Sequence, residues 1–427
     1  MRILITGGRV IDPARGVDEV LDVLCEDGRV SRVERGLLAP AGARVIAAAG
    51  RIVAPGLIDL HTHLREPGQE HKEDVATGTR AAAAGGFTAV CCMPNTVPVN
   101  DGRAVTEQIL GRAAAVGSAR VYPIGAITRG SLGAALADLG ELAAAGAVAV
   151  SDDGKCVMNA ALMRDALAAA RAAGLPLIQH CEDHDLARGT VAHAGDVAAR
   201  AGLRGQLGAA ESVIVARDLE LVEATGARYH AAHLSTAAAV RLVRDAKRRG
   251  LPVTAEVTPH HLTLTDEAVA GGDPSARVNP PLRAAADRDA LWEGLRDGTI
   301  DCVATDHAPH SPAEKPDFVT AAPGLVGLET ALPLGLRLVG AGVITLGRLI
   351  GALTAAPARV LGLPGGCLAP GGPADLVIID PDRAWTVTPA TLRSRSKNTP
   401  FLGWDLRGRA VLTLCAGQVV HDEVDGH

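Results

Sequence analysis

Eight short apolar runs recur through the middle of the chain, and each is followed by a stretch of helical composition. The runs occupy residues 57–61, 87–92, 121–126, 147–151, 175–180, 228–233, 252–257 and 300–306. The intervening segments, such as 160–173 and 236–249, have apolar residues at nearly helical spacing, as expected of helices that cover a parallel sheet. Eight consecutive βα units favour closure into a (β/α)8 TIM barrel over an open sheet. The predicted fold class is therefore α/β, and the long connection between His180 and Tyr229 has room for two helices.

The two ends of the chain have a different pattern. Residues 2–12, 23–36, 43–56, 374–387 and 407–423 alternate apolar and polar side chains between Gly-, Asp- and Pro-rich turns, which is typical of short antiparallel strands. Neither terminal set would make a core alone, so we expect the two sets to pair into a small β-sandwich that flanks the barrel. The predicted domains are the N-terminal part of the sandwich (1–54), the barrel (55–360) and the C-terminal part of the sandwich (361–427).

The charge of the chain limits its partners. A formal net charge of −6 gives no basic field, so nucleic acids and anionic membranes are poor candidates. The longest uncharged run, 81–100, contains Gly and Pro residues that would break the backbone pairing of a membrane span, and the N-terminus lacks the pattern of a signal peptide. Eight scattered cysteines without a CxxC pair are typical of a reducing compartment, so a cytoplasmic location is expected.

Histidines and aspartates stand where the predicted strands end. His61 and His63 are two residues apart, so they point to one face and can chelate one metal ion, although such a pair alone is a weak signal. Four more candidates follow other strands, and all six would meet at the carboxyl edge of the barrel, where active sites of this fold are built. These four are Asp153, His180, His233 and Asp306. Four imidazoles and two carboxylates exceed the needs of one tetrahedral ion and suit two ions bridged by a carboxylate and a hydroxide.

Five motifs together give the chain a family resemblance. They are HLREPG within 61–68, MPNT at 93–96, SDDG at 151–154, RVNPPLR at 277–283 and DHAPH at 306–310. In this combination the chain resembles the bacterial class I dihydroorotases of the amidohydrolase superfamily, from the early GRVIDP segment to SKNTPFLGW near the C-terminus. The resemblance therefore covers essentially the whole chain.

The resemblance implies a binuclear zinc centre. His61 and His63 would bind the first zinc, His180 and His233 the second, and Asp153 would bridge the two together with a hydroxide. Asp306 would complete the ligand set of the first zinc and act as the catalytic proton acceptor. Asp153 would stand where hydantoinases and other dihydroorotases carry a carboxylated lysine. The alternatives for the bridge are Asp152, since neighbouring residues at a strand end point in opposite directions, and a carboxylated Lys155.

A cyclic ureide that carries a carboxylate requires a guanidinium group and amide donors near the metals, and Arg65 lies four residues past His61. The resemblance assigns Arg65, Asn95 and His310 to the substrate carboxylate and Asn279 to the ring. It also assigns the backbone at Pro323 and Gly324 to the ring amide and carbonyl, and includes His63 among the substrate contacts. Simpler interpretations remain open, because Arg65 could be an exposed loop residue and both asparagines could form turns beside prolines.

The other histidines are expected to have supporting roles. His307 could hold a metal ligand in place. For His260 and His261, a place in the core or a contact with a ligand is favoured over direct metal binding. The remaining ones are predicted to be surface or structural residues: His71, His184, His193, His230, His421 and His427. The irregular segment 310–324 is interpreted as a lid that closes over the substrate.

The expected activity is reversible hydrolysis of (S)-dihydroorotate to N-carbamoyl-L-aspartate, a step of pyrimidine (UMP) biosynthesis. Partners expected besides this substrate are further copies of the chain and an aspartate transcarbamoylase. Two alternatives are another cyclic amidase, such as a dihydropyrimidinase, hydantoinase or allantoinase, and an inactive scaffold for the transcarbamoylase. The scaffold is disfavoured because all six ligand positions are filled.

Overall fold

The computed structural model describes residues 2–424, and a ring of eight parallel strands lies at its centre. These barrel strands are β6 (Leu57–Thr62), β7 (Phe87–Cys92), β8 (Arg120–Gly125), β9 (Ala149–Val150), β10 (Leu177–Gln179), β13 (Tyr229–Ala231), β14 (Val253–Val257) and β15 (Cys302–Val303). They pair in chain order, and a parallel bridge between Thr62 and His307 joins the last strand to the first. The predicted TIM barrel is therefore confirmed.

Thirteen α-helices occur in residues 2–424, and the longer ones cover the barrel. They are α1 (Val75–Ala84), α2 (Arg103–Val116), α3 (Leu139–Ala145), α4 (Ala160–Ala172), α5 (His184–Ala187), α6 (Asp196–Arg200), α7 (Ala209–Thr225), α8 (Ala237–Arg248), α9 (Pro259–Thr263), α10 (Ala285–Asp297), α11 (Ala331–Gly340), α12 (Leu346–Leu353) and α13 (Ala355–Leu361). Short 3₁₀ turns occupy Arg129–Ser131, Asp266–Val269, Pro274–Ala276 and Pro312–Glu314. No helix among these has the length and apolar composition needed to cross a membrane.

Helix α8 illustrates how the sequence forms this outer layer. Thr236 caps its N-terminus by accepting a hydrogen bond from the backbone N–H of Ala239. Its buried residues are Ala239, Val240, Val243 and Ala246, a helical spacing that places one apolar stripe against the barrel. Lys247 and Arg248 lie in the last turn, where positive charge interacts favourably with the helix dipole.

The two chain ends form the predicted flanking β-domain. Its strands are β1 (Arg2–Asp12), β2 (Val17–Glu26), β3 (Arg29–Glu34), β4 (Arg44–Ala47), β5 (Ile52–Pro55), β16 (Leu376–Thr386), β17 (Asp405–Cys415) and β18 (Gln418–Asp422). All eight belong to one continuous sheet, in which β5 joins the two ends by pairing antiparallel with β16. Along β16, Leu376 and Ile378 pack into the core of this domain, whereas Val377 and Ile379 pack into the barrel core. This alternation fixes the sheet against the barrel.

Two details differ from the expectation. Several barrel strands are shorter than the apolar runs. In β9 and β15 residues at both ends of the run lie outside the strand, which contains only two residues in each case. The connection between β10 and β13 holds α5, α6 and α7 and a two-stranded parallel sheet of β11 (Ala192–His193) and β12 (Gly205–Gln206), which is more than the two predicted helices. The exact domain boundaries stay a prediction.

Candidate metal centre and active site

The six predicted ligands all lie at the carboxyl ends of barrel strands and are all buried. His61 is in β6 and His63 follows it directly. The other four side chains come from the loops after four further strands: Asp153 after β9, His180 after β10, His233 after β13 and Asp306 after β15. Strands far apart in the sequence therefore bring these side chains to one point at the barrel mouth.

One half of the cluster is built from His61, His63 and Asp306. The Nε2 atom of His63 lies 3.0 Å from Asp306 Oδ1, and Nε2 of His61 lies 3.6 Å from the same oxygen. Asp153 faces this half with both oxygens, at 3.2 Å from His61 Nε2 and 3.5 Å from His63 Nε2. The potential ligand atoms of His61, His63 and Asp306 all lie within 4.8 Å of one another.

The other half is built from His180 and His233. His180 Nδ1 lies 2.9 Å from His233 Nε2. Asp153 Oδ1 lies 3.8 Å from His233 Nε2 and 4.0 Å from His180 Nδ1. Asp153 thus contacts both halves, and its geometry is that of a carboxylate that could join two ions.

The donor set fits divalent metal. His61 Nε2 is buried without a hydrogen-bond partner, and it points towards the carboxylates of Asp153 and Asp306. Burial opposes protonation of His61, but the charges of Asp153 and Glu256 outweigh it and raise the pKa of this imidazole. The cluster therefore attracts positive charge, and imidazole nitrogens with carboxylate oxygens are the donors that zinc prefers.

Asp152 and Asp153 point in different directions. The Oδ1 atom of Asp152 accepts hydrogen bonds from the backbone N–H groups of Ile127 (2.9 Å) and Thr128 (3.0 Å), and its Oδ2 accepts one from the Thr128 hydroxyl. Lys155 donates to the carbonyl of Ser131 at 3.0 Å. Of the three candidates for the bridge, only Asp153 faces the cluster.

A cavity of about 190 Å³ opens above the cluster. Its lining includes His63, Arg65, Asn95, His180, Asn279, His310 and Pro323. The predicted substrate contacts are therefore brought together, except that Gly324 lies behind this wall. Both backbone polar groups of Gly324 already have partners, since its N–H donates to Arg277 O at 2.9 Å and its carbonyl accepts from Asn398 at 3.1 Å.

Arg65 is a buried residue and not an exposed loop side chain. Its Nε donates to Pro309 O at 3.2 Å, and a terminal nitrogen lies 3.4 Å from His310 Nε2. Burial lowers its pKa to about 10, so the guanidinium stays charged at neutral pH. Asn95 Oδ1 lies 2.9 Å from His63 Nδ1, which fixes the ring of that ligand rather than forming a turn.

Backbone strain is concentrated at this site. Six non-glycine residues of the described chain have positive φ, and three of them are Arg65 (63°), His233 (28°) and Asp306 (47°). Such conformations are unfavourable for side chains other than glycine and persist where the surrounding structure holds them. Two proposed ligands and the guanidinium are thus held by strained backbone.

The comparisons with known proteins agree with this geometry. Residues 50–239 match the family model described as Dihydro-orotase-like. A protein named dihydroorotase from Anaeromyxobacter dehalogenans is 58% identical over 99% of this chain and 98% of its own length. Another from Geobacter metallireducens is 52% identical over 99% of this chain and 100% of its own length. The chain belongs to the dihydroorotase family.

A solved hydantoinase has the same architecture as this dihydroorotase family member. The L-hydantoinase (dihydropyrimidinase) of Arthrobacter aurescens superimposes with a TM-score of 0.88, at 26% identity over 98% of this chain and 96% of its own. The expectation of an amidohydrolase barrel is confirmed. The chain is a cyclic amide hydrolase, and the dihydroorotase relatives favour that branch over the hydantoinases.

Sequence reasoning missed two carboxylates that support the ligands of this dihydroorotase-family site. Glu256 Oε1 accepts a hydrogen bond from His61 Nδ1 at 2.7 Å, and Oε2 lies 3.2 Å from His230 Nε2. Thr254 holds the other nitrogen of His230 at 2.8 Å. The sequence feature that could have indicated Glu256 is its position as the only charged residue in the apolar run 252–257. His230 is buried, in agreement with a structural role.

The second missed carboxylate is Glu182, in the loop after β10. Its Oε2 lies 3.7 Å from His180 Nε2 and accepts from Gln206 at 3.2 Å. Asn279 Nδ2 lies 3.3 Å from the same His180 nitrogen. Burial opposes ionisation, but His180 lowers the pKa of Glu182 to about 2. The sequence signal was weak, because Glu182 is one acidic residue among several in that loop.

The remaining buried histidines near the site are placed as expected. His307 lies 3.4 Å from Glu73 Oε2, and its Nδ1 accepts from the backbone N–H of Gly327 at 3.2 Å. His261 contacts Thr258 and the carbonyl of Pro280. His260 is buried with no hydrogen-bond partner on either ring nitrogen. None of the three is in the two groups of potential ligand atoms.

Proposed function

We propose that this site holds two zinc ions and hydrolyses the ring amide of (S)-dihydroorotate reversibly to N-carbamoyl-L-aspartate. His61, His63 and Asp306 would hold the first ion, His180 and His233 the second, and Asp153 would contact both. The observation that carries the proposal is the convergence of four buried imidazoles on Asp153, with His61 Nε2 lacking any other partner. Zinc ions bound there would lower the pKa of a water molecule and polarise the substrate carbonyl.

Asp306 is the proposed proton carrier. Its contacts with His61 and His63 both use Oδ1, which leaves Oδ2 for a proton. Burial opposes ionisation, yet the neighbouring His63 and His61 lower the pKa of Asp306, so that it is a carboxylate at neutral pH. Asp306 would accept a proton from the attacking water and deliver it to the ring nitrogen that leaves.

The substrate carboxylate would bind to a second group of side chains that line the same cavity. Arg65 supplies a buried guanidinium, and Asn95 and His310 lie beside it. Burial lowers the pKa of His310 to about 3, so its ring is neutral and has one N–H; Nε2 lies 3.0 Å from Pro323 O, and this N–H would change partner to reach the carboxylate. Asn279 would contact the ring, with His63 alongside. The carbonyl of Pro323, which lines the cavity, would accept from the ring N–H, and Gly324 is assigned the same region by the resemblance.

Turnover by the zinc-loaded chain is the direct test. Dihydroorotate and N-carbamoyl-L-aspartate should both be converted, whereas hydantoin and allantoin should react at least about 100-fold more slowly, because binding groups for the carboxylate would be left unpaired. Asp306→Ala should retain the fold and lose activity by about 10²–10⁴-fold. Faster turnover of hydantoin would favour the other cyclic amidases. A folded chain that binds no zinc and turns over none of these compounds would favour the scaffold.

The predictions about oligomeric assembly, partner and cellular location rest on the family resemblance. We propose that the chain is a cytoplasmic homo-oligomer that also binds an aspartate transcarbamoylase. Analytical ultracentrifugation of the purified chain, alone and mixed with the transcarbamoylase of the same organism, would test both assemblies. Activity measured with and without that partner would show whether turnover depends on it.

A further inference from the structure

A second cavity lies beside the active site and shares one wall with it. We call it the side cavity; it encloses about 350 Å³ between the loop at 274–275, the segment 310–315 and the C-terminal segment 395–398. His310 lines both this cavity and the active-site cavity. None of the functions proposed above uses the side cavity.

The charged side chains that line the side cavity are all cationic. They are Lys315, Arg395 and Lys397, with His71 at the rim, and none of the described lining residues is acidic. Of the carboxylates around it, Glu314 pairs with Lys72 at 2.6 Å and Asp74 pairs with Arg395, whereas Asp273 acts on Lys315 through its charge without forming an ion pair. The wall therefore has an excess of positive charge.

Lys315 is the least compensated of these cations. It is 8% exposed, and its Nζ donates to two carbonyls, Pro274 O at 3.0 Å and Arg277 O at 3.1 Å. No carboxylate of residues 2–424 forms an ion pair with it. Burial, together with the charge of Arg277, lowers the pKa of Lys315 to about 7. A buried ammonium group with only neutral partners is costly, and it has a third N–H to offer.

Lys397 is half-buried, and Glu329 and Glu73 act on it through their charge. Its Nζ donates to the carbonyls of Leu392, at 2.7 Å, and Ser394, and within the described chain it has no ion-pair partner. Two lysines of one cavity thus have no ion-pair partner in residues 2–424. We propose that the side cavity binds a small oxyanion, a phosphate or a dicarboxylate, through Lys315, Lys397 and Arg395.

The position of the cavity connects such a ligand to the active site. Asn398, on the cavity wall, accepts from the backbone N–H of His310 at 3.0 Å and donates to Ala308 O and Gly324 O, both at 3.1 Å. It therefore ties together the two ends of the predicted lid. His310 Nε2 lies 3.0 Å from Pro323 O, whereas its buried Nδ1 has no hydrogen-bond partner.

The test is a titration of the zinc-loaded chain with inorganic phosphate and, separately, with succinate, at constant ionic strength and followed by calorimetry. Saturable binding of at least one of them is expected, and whichever binds identifies the type of oxyanion. Lys397→Met and Arg395→Gln should each weaken binding by about tenfold, because each removes a charged hydrogen-bond donor. Arg393→Gln is the matched control, since Arg393 is in the same segment but does not line the cavity.

Two results would overturn the proposal. One is the absence of saturable binding by either anion. The other is binding with equal affinity in wild type, Lys397→Met and Arg395→Gln, because that would place the anion at the metal centre or elsewhere. Lys315→Met should have the largest effect, but Lys315 also ties two loops together, so circular dichroism must first establish that this variant folds. If it does not fold, the other two substitutions decide.

Discussion

The two halves of the candidate metal centre differ in the carboxylate that contacts the histidine ring: Glu256 for His61 and Glu182 for His180. In the first half, His61 is held from below by Glu256, which is 1% exposed and belongs to strand β14. In the second half, His180 is held by Glu182 and Asn279, which come from loops, and the carboxylate lies at the longer distance of 3.7 Å. The carboxylate behind His61 is thus on a strand, whereas the groups behind His180 are on loops.

This difference has a consequence for metal binding. Side chains on strands inside a packed barrel have little freedom to move, whereas loop residues at the rim are closer to solvent and adapt more easily. We therefore expect the first half to bind zinc more tightly and the second half to lose it first when a chelator is added. The following substitutions test that comparison, from the largest expected effect to the smallest.

Asp153→Asn should affect both halves, because Asp153 is the residue that contacts all four imidazoles. We expect zinc content to fall in both sites and kcat/KM to fall by more than the roughly 10–100-fold that is typical when a partner outside the ligand set is changed. Elemental analysis and steady-state kinetics measure these effects.

Asp152→Asn is the control for that substitution. Asp152 holds the backbone at Ile127 and Thr128 and points away from the cluster. This variant should unfold at a lower temperature but retain its zinc. If instead Asp152→Asn lost zinc and Asp153→Asn kept it, the assignment of the bridge would be reversed.

Glu256→Gln should weaken the first half more than the second, because Glu256 holds the ring of His61 at 2.7 Å but only the backbone N–H of His233, at 3.3 Å. Glu256 accepts from His61 Nδ1, fixes the tautomer that presents Nε2 to a metal, and adds negative charge beneath the site. Zinc affinity, measured by competition with a chromophoric chelator, should fall by about 10–100-fold. Asp218→Asn is a matched control, because Asp218 is also a fully buried carboxylate but bonds Tyr229 and Arg217. Equal losses of zinc affinity in the two variants would mean that Glu256 stabilises the fold and does not act on His61 specifically.

Glu182→Gln should have a smaller effect, confined to the second half. The distance to His180 is longer and the Glu182 side chain is 17% exposed, so we expect a loss of zinc affinity of about tenfold, the lower end of the usual range. Asp183→Asn, at the half-buried neighbouring residue that caps α5, should leave zinc binding unchanged. A larger loss for Glu182→Gln than for Glu256→Gln would invert the comparison of the two halves.

Much of this site could be predicted from the sequence because parallel barrel strands end at one rim. That rule alone placed Asp153, His180, His233 and Asp306 beside His61. The supporting partners could not be predicted, since Glu256 meets His61 only through the closure of the barrel, which brings β14 close to β6. Nor could the sequence show that Gly324 has its backbone groups occupied, because Arg277 and Asn398 approach it from distant parts of the chain.

The fold was predictable to a similar extent. Apolar runs indicate which residues are buried, and all eight barrel strands lie within or beside those runs. They do not indicate where pairing stops, so the two-residue strands β9 and β15 were not foreseen. The region 184–206 has short helices and strands whose packing depends on tertiary contacts, and its apolar pattern is too brief to define them.

The smallest expected effect concerns Asp59, which contacts the backbone of His61 in the first half. It accepts hydrogen bonds from His61 N at 3.1 Å and Thr305 N at 3.0 Å, and so ties β6 to the residue before Asp306. Burial raises its pKa from 3.8 to about 7, although the bonds from Thr305 oppose this shift. Between these values the folded chain holds a proton that the unfolded chain has released, so this group's contribution to the free energy of unfolding decreases as pH rises.

The expected slope is at most about 1.4 kcal/mol per pH unit between pH 5 and 7. Asp59→Asn keeps a neutral group at this position and removes the titration. The difference in unfolding free energy between Asp59→Asn and wild type, obtained from urea titrations, should therefore shift in favour of the variant as pH increases from 5 to 7. Using the difference cancels the titration of the proposed metal ligands, which both proteins share. A difference that stays constant with pH would mean that Asp59 is already ionised in the folded chain. The carboxyl group that holds the backbone of His61 would then be charged and not neutral.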